Sequence, residues 1–478
     1  MKFIQKLPLI LGLAFLAPGP FTSSIAAANN TDDKPIRIQL KIHPQAPHRM
    51  ALKHELLPPY DDLRLEGNAA LAYYIVIVST DQEHVKTVIE EIDTLLKSPT
   101  PSQHLGEIEK KLEMYQGKIR DLKRAARYRQ CNWQAHWEDG FETLLPFLAP
   151  VKRLSFLVLQ QAQVDIMKGD FDAAIECLQT GMAMGQHCID QTLVNGLVCL
   201  AITKRCLMVL ENYVQAKDAP NLYQALSALP RPLVDFRAAM RFERASHDDL
   251  LMPELRQVQI DLEQGKEPRI PMQKIVRFVT RVLGTDPMQV HRDASQSTRD
   301  EALQTARSYL AKQGFPSDVT ANLMPLEIVF LASFDRFHYL SDKVFKNKAK
   351  EEIDEVNSQL DNWLGNLFPE NVEGYDPFPF QKLFPALGNV KKRKAQTERD
   401  IDAWRCIEAI RAHAAANEGN LPGSLESIQI LPIPLNTITG QAFGYQLTGK
   451  TAILTVGSSP NESKYLARDT TIYELTVD

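Results

Sequence analysis

The chain has 478 residues, 44% hydrophobic and 24% charged, with 54 basic against 59 acidic side chains for a formal net charge of -5. This is ordinary globular composition, long enough for several domains whose cores need neither metals nor disulfide staples. Mild acidity argues against non-specific nucleic-acid or anionic-membrane binding as the main activity. Six cysteines without a CxxC pair (Cys131, Cys177, Cys188, Cys199, Cys206 and Cys406) argue against a disulfide-dense or zinc-knuckle scaffold.

Lys2 and Lys6 precede an apolar stretch over 7–16 and a small-residue run over 24–28. That order predicts a cleavable secretory signal over residues 1–27. Its apolar part is too short to span a bilayer, which takes about 20 residues. Loss of the two lysines leaves 52 basic against 59 acidic side chains, a balance of -7. The expectation is a periplasmic or extracellular chain with no integral membrane span after signal cleavage. The other strongly apolar run, 69–78, reads as a core helix.

Residues 36–42 alternate apolar and polar, the period of a half-buried strand. His43 and Pro44 break it, a second extended piece is expected over 50–57, and Pro58-Pro59 ends the segment. Asn68 then caps the apolar helix, and Thr80-Asp81-Gln82-Glu83 reads as a capping box. The helix it opens places Val85, Val88, Ile89, Ile92, Leu95 and Leu96 on one face. After a proline turn at 98–101, Leu105, Ile108, Leu112, Tyr115, Ile119, Leu122 and Ala126 recur at helical spacing. The two helices predict an antiparallel hairpin with a coiled-coil-like seam.

Further helices are expected near 190–216, 220–229, 233–247, 271–283, 298–313, 325–347 and 349–365, with a loop over 368–385. The last block changes character. A helix with Ala403, Ile407, Ile410 and Ala414 on one face ends at Gly419, and Leu421-Pro422 forbids its continuation. Proline-rich 431–434 leads to candidate strands at 443–447, 451–456 and 472–477, to which the N-terminal strand could add.

Within 154–184, the run Gly169-Asp170-Phe171-Asp172-Ala173-Ala174-Ile175, followed by Leu178 and Gly181, resembles the second half of a tetratricopeptide repeat. Ala162, Ala174 and Gly181 hold its small positions, while Gln161 and Asp165 stand where that pattern is apolar. The C-terminal segments AIRAHAAANEGNLPGSLESI and PIPLNTITGQAFGYQLTGKTAIL resemble the soluble part of type II pseudopilins, without the apolar pilin helix or its processing site. More broadly, LLPPYDD, EGNAA, KGDFDAAIECLQTGM and APNLYQALSALPRP together resemble a group of uncharacterised exported bacterial helical proteins. That likeness implies no catalytic residues.

Gly444-Tyr445-Gln446-Leu447-Thr448-Gly449-Lys450-Thr451 satisfies GxxxxGK[ST]. A phosphate loop works only between a strand and a helix N-terminus, because the amides and helix dipole hold the phosphates. Here strand patterns flank a Thr448-Gly449 turn, so a hairpin is expected. Neither HExxH nor GxSxG occurs. His43, His48 and His54, and the pair Glu243 and His247, read as solvated or locally paired groups, and no cofactor or metal is implied. The basic run over 391–394 reads as a solvated lead-in to a helix.

Two clusters stand out as weak binding candidates. Arg237, Arg241, Arg244 and His247 lie on a charge-rich helix whose arginines share a face able to grip an acidic ligand. Trp133 and Trp137, in CNWQAHW, are one helical turn apart and could stack on a sugar or peptide.

The expected fold is mainly α, a stack of helical hairpins with one tetratricopeptide-like pair, plus a small C-terminal α+β module of helix and antiparallel strands. The expected divisions are a signal over 1–27 and an extended segment over 28–60. Helical regions follow over 61–230 and 231–388, with the C-terminal module over 389–478. The function expected is a non-catalytic envelope scaffold binding an unidentified envelope protein or peptide, and no nucleic acid. The alternative is an envelope hydrolase acting on peptide or glycan, which a pocket joining 131–137 to 237–249 would favour.

Overall fold

The alternation over 36–42 becomes β1 (Ile36–Ile42), whose Leu40 and Ile42 are buried. The computed structural model describes residues 35–48, 53–59, 65–98, 100–138, 143–245, 260–261, 264, 270–315, 321–346, 375–380, 385–457 and 470–478. The signal expected over 1–27 and the helix expected over 349–365 lie outside them. Residues 53–59 form bends and coil rather than the expected extended piece, of which residues 50–52 are not described.

β2 (Leu65–Asn68) runs directly into α1 (Ala69–Val78), where Asn68 accepts a hydrogen bond from the Ala70 amide. The apolar run is only half a core helix. Tyr73 and Val76 are buried, but Leu71, Ile75 and Val78 face outward. α2 (Gln82–Leu96) is capped by Asp81, which accepts from the Glu83 and His84 amides, rather than by a box opened from Thr80. The Thr80 hydroxyl instead donates to the Val76 carbonyl and closes α1. The long seam expected over 105–126 breaks at Met114 and Tyr115 into α3 (Leu105–Glu113) and α4 (Gln116–Ala125). α4 packs on α1, and α2 packs mainly on the later helix over Leu148–Lys168 rather than on α3, so the expected hairpin becomes part of a layered stack. β3 (Tyr128–Gln130) then pairs in parallel with β2.

α5 (Leu148–Lys168) and α6 (Phe171–Cys188) are the tetratricopeptide-like pair. Gly169, at φ 75°, ends α5 in the left-handed region open to glycine, and Asp170 caps α6 through the Ala173 amide. The small positions act as close-approach points. A Cβ on Gly181 would stand 3.1 Å from both Leu159 and the Cys206 sulfur. Cys206 belongs to α7 (Leu193–Tyr213), which is long and apolar enough to cross a membrane by length and composition. Most of α7 is buried between its neighbours, so it is the core helix of the stack. All six cysteines are free. Cys177 and Cys188 stand eleven residues apart on α6, about 16 Å at 1.5 Å per residue, beyond disulfide reach.

α8 (Tyr223–Ser227) and α9 (residues 237 to 245) follow, then α10 (Met272–Phe278), which continues as a π turn over Val279–Leu283. α11 (Pro287–Asp293), α12 (Gln296–Lys312) and α13 (Pro325–Lys346) complete the middle. Phe330 and Phe334 of α13 meet Phe378 and Phe380 edge to face at 5.3 and 5.6 Å. This aromatic cluster occupies part of the stretch expected to be a loop. α14 (Pro385–Ala416) is longer than the expected terminal helix and includes the basic run over 391–394.

α14 packs on α7, α8 and the sheet. β4 (Gly444–Thr448), β5 (Thr451–Val456) and β6 (Thr471–Val477) are antiparallel, and β1 adds in parallel along β6, giving the order β1-β6-β5-β4. The sheet is therefore mixed rather than wholly antiparallel. The fold is mainly α with a small C-terminal α+β module, and β1, the first strand among the described residues, belongs to that module. Trp404 of α14 covers the sheet against Tyr473, ring centroids 5.7 Å apart.

Candidate functional site

The phosphate-loop match is a β-hairpin. Thr448 pairs with Thr451 across Gly449 and Lys450, one residue later than the turn expected, and Gly449 at φ 60° makes the tight turn. A strand, not a helix N-terminus, follows, so the backbone cannot present the amides that a phosphate needs.

The two clusters singled out as binding candidates are mostly consumed by packing. Trp133 and Trp137 do not share a helix face, because 131–136 is irregular and Gln134 has a positive φ of 52°. Trp133 is buried, lies flat on Phe147 at 4.1 Å, and donates its indole N–H to the His187 carbonyl at 2.7 Å. Trp137 is half-buried and meets Phe242 of α9 edge to face at 5.6 Å. The two regions do touch, through apolar rings. On α9, Arg237 clamps Asp235 with a bond of 2.6 Å, Arg241 is exposed and Arg244 is half-buried. His247 lies outside the described residues.

Glu243 lies on the same helix. It is buried, and its carboxylate accepts the Leu193 amide at the start of α7. Burial raises its pKa to about 7. Between about 4.5 and 7 the folded chain keeps a proton that the unfolded chain releases, so ionisation lowers stability as pH rises. Glu243→Gln should therefore gain on the wild type between pH 5 and pH 8, by up to roughly 3 kcal/mol. Denaturant titrations across that range check it, and parallel profiles would contradict it.

The arrangement that the sequence reading passed over is a cleft along α4. Between residues 118 and 129 the chain carries Lys118, Arg120, Lys123, Arg124, Arg127 and Arg129 against a single acid, Asp121. α4 buries Ile119, Leu122 and Ala125 against the stack, which turns Arg120, Lys123 and Arg124 outward beside α5 and α6. The fold forms two adjoining half-open chambers there, of about 350 and 720 Å³, sharing Lys123, Arg127 and Glu176.

The larger chamber has a polar network. Gln116 donates to Gln161 at 2.8 Å, Gln161 donates to Asp165 at 2.7 Å, and the Cys177 thiol reaches the other Asp165 oxygen at 3.6 Å. The residues that break the tetratricopeptide pattern, Gln161 and Asp165, line this chamber. Burial raises the Asp165 carboxyl and pushes the Cys177 thiol up to about 12, which keeps that sulfur protonated and unreactive. Lys123 is held by Glu176 at 2.7 Å. Arg120 and Arg124 have no acidic partner among the described residues.

The smaller chamber lies under residues 53–59, which Gln179 of α6 anchors by donating to the Leu57 carbonyl at 3.2 Å. His54 lines it, buried, with Nδ1 4.0 Å from Asp172 and Nε2 without a hydrogen-bond partner. Burial, reinforced by Lys53 and His48 and opposed by Asp172, lowers its pKa and favours the neutral ring. An unpaired buried ring nitrogen costs free energy that a ligand group can recover.

No protein-family model, curated protein or solved structure matches the chain. Among the described residues, no group of three or more His, Cys, Asp or Glu side chains converges as a metal site requires. The cleft offers a ligand the unpartnered His54 nitrogen and two guanidinium groups without an acidic partner among the described residues.

Proposed function

We propose that the chain is an exported, non-catalytic scaffold of the bacterial envelope that binds a partner protein or peptide in the cleft between α4 and α6. The observation that carries this reading is the pair of guanidinium groups in the larger chamber, Arg120 and Arg124, without an acidic partner among the described residues, together with an open His54 nitrogen in the chamber adjoining it. The acids that line the larger chamber are already engaged, while Glu55 and Asp172 line the smaller one, Asp172 4.0 Å from the His54 Nδ1. Asp165 accepts from Gln161 and Cys177, and Glu176 from Lys123. What remains for a ligand in the larger chamber is a row of exposed donors, the equipment of recognition rather than turnover. The charge, apolar and small-residue order of residues 1–28 supports export.

The test places a photo-cross-linking amino acid at position 120 and, as a control, at exposed Arg307 on α12, followed by irradiation of cells and mass spectrometry of the envelope fraction. A discrete adduct from position 120 that is absent from position 307 is expected. Equal adducts from both, or none from either, would overturn the proposal, as would turnover of an envelope peptide or glycan abolished by one side-chain change.

A further inference from the structure

The geometry points to an extended acidic peptide, with carboxylates on alternate residues, as the ligand of this cleft; the inference rests on the cleft being the partner site. Three observations fix the chemistry. The first is sign. Arg120, Lys123, Arg124 and Arg127 face the larger chamber against Asp165 and Glu176, and of these acids one is buried with a raised pKa and the other is bound to Lys123. The excess positive charge calls for an anionic ligand, and guanidinium groups favour carboxylates that they can grip with two parallel bonds.

The second is length and spacing. α4 has 10 residues, about 15 Å of helix at 1.5 Å per residue, matched by roughly five residues of extended chain at about 3.3 Å each. Arg120 and Arg124 are offset by about 6 Å along the axis. Same-face residues of a strand are about 6.6 Å apart, so alternate side chains of one extended peptide meet both arginines. A compact anion would engage one of them and leave the other in water.

The third is the second chamber. The cleft continues past Arg127 to His54, whose buried Nε2 lacks a partner. As a neutral ring with Nδ1 turned toward Asp172, His54 can meet a backbone N–H or C=O of a peptide, according to its tautomer. A bare phosphate or a lipid headgroup would not extend that far.

The experiment is fluorescence anisotropy with the purified chain and a labelled seven-residue peptide carrying glutamate at positions 1, 3, 5 and 7 and serine between. Arg120→Glu/Arg124→Glu should weaken binding by more than about tenfold. Arg307→Glu/Lys312→Glu, the same charge change on α12, should leave it within about twofold. His54→Phe should weaken the wild-type interaction further than salt alone explains, and near-native circular dichroism of each variant separates binding loss from unfolding. Preference for a lysine-serine or all-serine peptide, equal loss in both charge variants, or binding only to phosphatidylglycerol vesicles would overturn the inference. If position 120 still cross-links to one envelope protein while the glutamate peptide fails, the ligand class is wrong and the scaffold reading stands; if both fail, that reading falls with it.

Discussion

Arg411→Met is expected to destabilise the fold by about 3–5 kcal/mol, the cost of leaving one member of a buried ion pair alone. Arg411 is fully buried on α14 and bonds both Glu408 oxygens at 3.0 and 2.9 Å. It also donates to the carbonyls of His43 and Ala219 at 2.9 and 2.8 Å. One side chain thus joins α14 to the end of β1 and to the turn after α7. Methionine fills similar volume but supplies no donor, so a buried carboxylate and two carbonyls lose their partner. Burial already raises the Glu408 pKa, and without the guanidinium that carboxyl would take up a proton. Arg411→Met/Glu408→Leu should recover the charge part of the loss and retain the cost of the two carbonyls. Urea denaturation of the three chains checks this, and limited proteolysis after β1 should accelerate in the single variant. A loss below about 1 kcal/mol would show that water reaches the pair.

Trp133→Ala is expected to cost about 3–5 kcal/mol as a large-to-small change in a packed core. Its ring lies on Phe147, stacks on Tyr73 at 5.7 Å and meets the edge of Tyr74 at 5.3 Å. Its N–H is committed to the His187 carbonyl. Trp137→Ala removes a half-buried ring with one aromatic neighbour and should cost about 1 kcal/mol. Thermal and denaturant unfolding rank the pair. A Trp133 variant with wild-type stability but impaired ligand binding would restore the tryptophans as a recognition surface.

Much of the architecture is written locally. The alternation in 36–42, the Asn68 cap, the Gly169-Asp170 break and the hairpin at 444–456 each follow from neighbours in the chain, and each forms as the local chemistry directs. α7 and α14 form where helices are expected, near 190–216 and through Ala403, Ile407, Ile410 and Ala414, but periodicity reports a helix with one wet side and does not show how far each is buried. α7 is interrupted by Asn195, Thr203, Lys204 and Arg205 and still lies mostly in the core, while α14 buries Glu408 and Arg411 beside Trp404. Helices surrounded by protein carry no clean stripe.

The site was less legible for a related reason. Density of ionisable groups drew attention to Arg237, yet its charge is spent on Asp235 two residues away. In isolation the α4 arginines are the solvated side of an amphipathic helix. They become a cleft because α5 and α6 fold back along them and residues 53–59 close one end. The one local signal was compositional, six cations against one acid between 118 and 129. Helix pairs of the solvated kind usually interleave both signs.

Hydrogen–deuterium exchange of the purified chain, with and without the alternating-glutamate peptide, tests the cleft most directly. The expected result is slower exchange confined to residues 53–59, 116–127 and 171–180, lost in Arg120→Glu/Arg124→Glu. Protection centred on 237–245, or unchanged exchange along α4 with saturating peptide bound, would contradict the assignment of the partner site to this cleft.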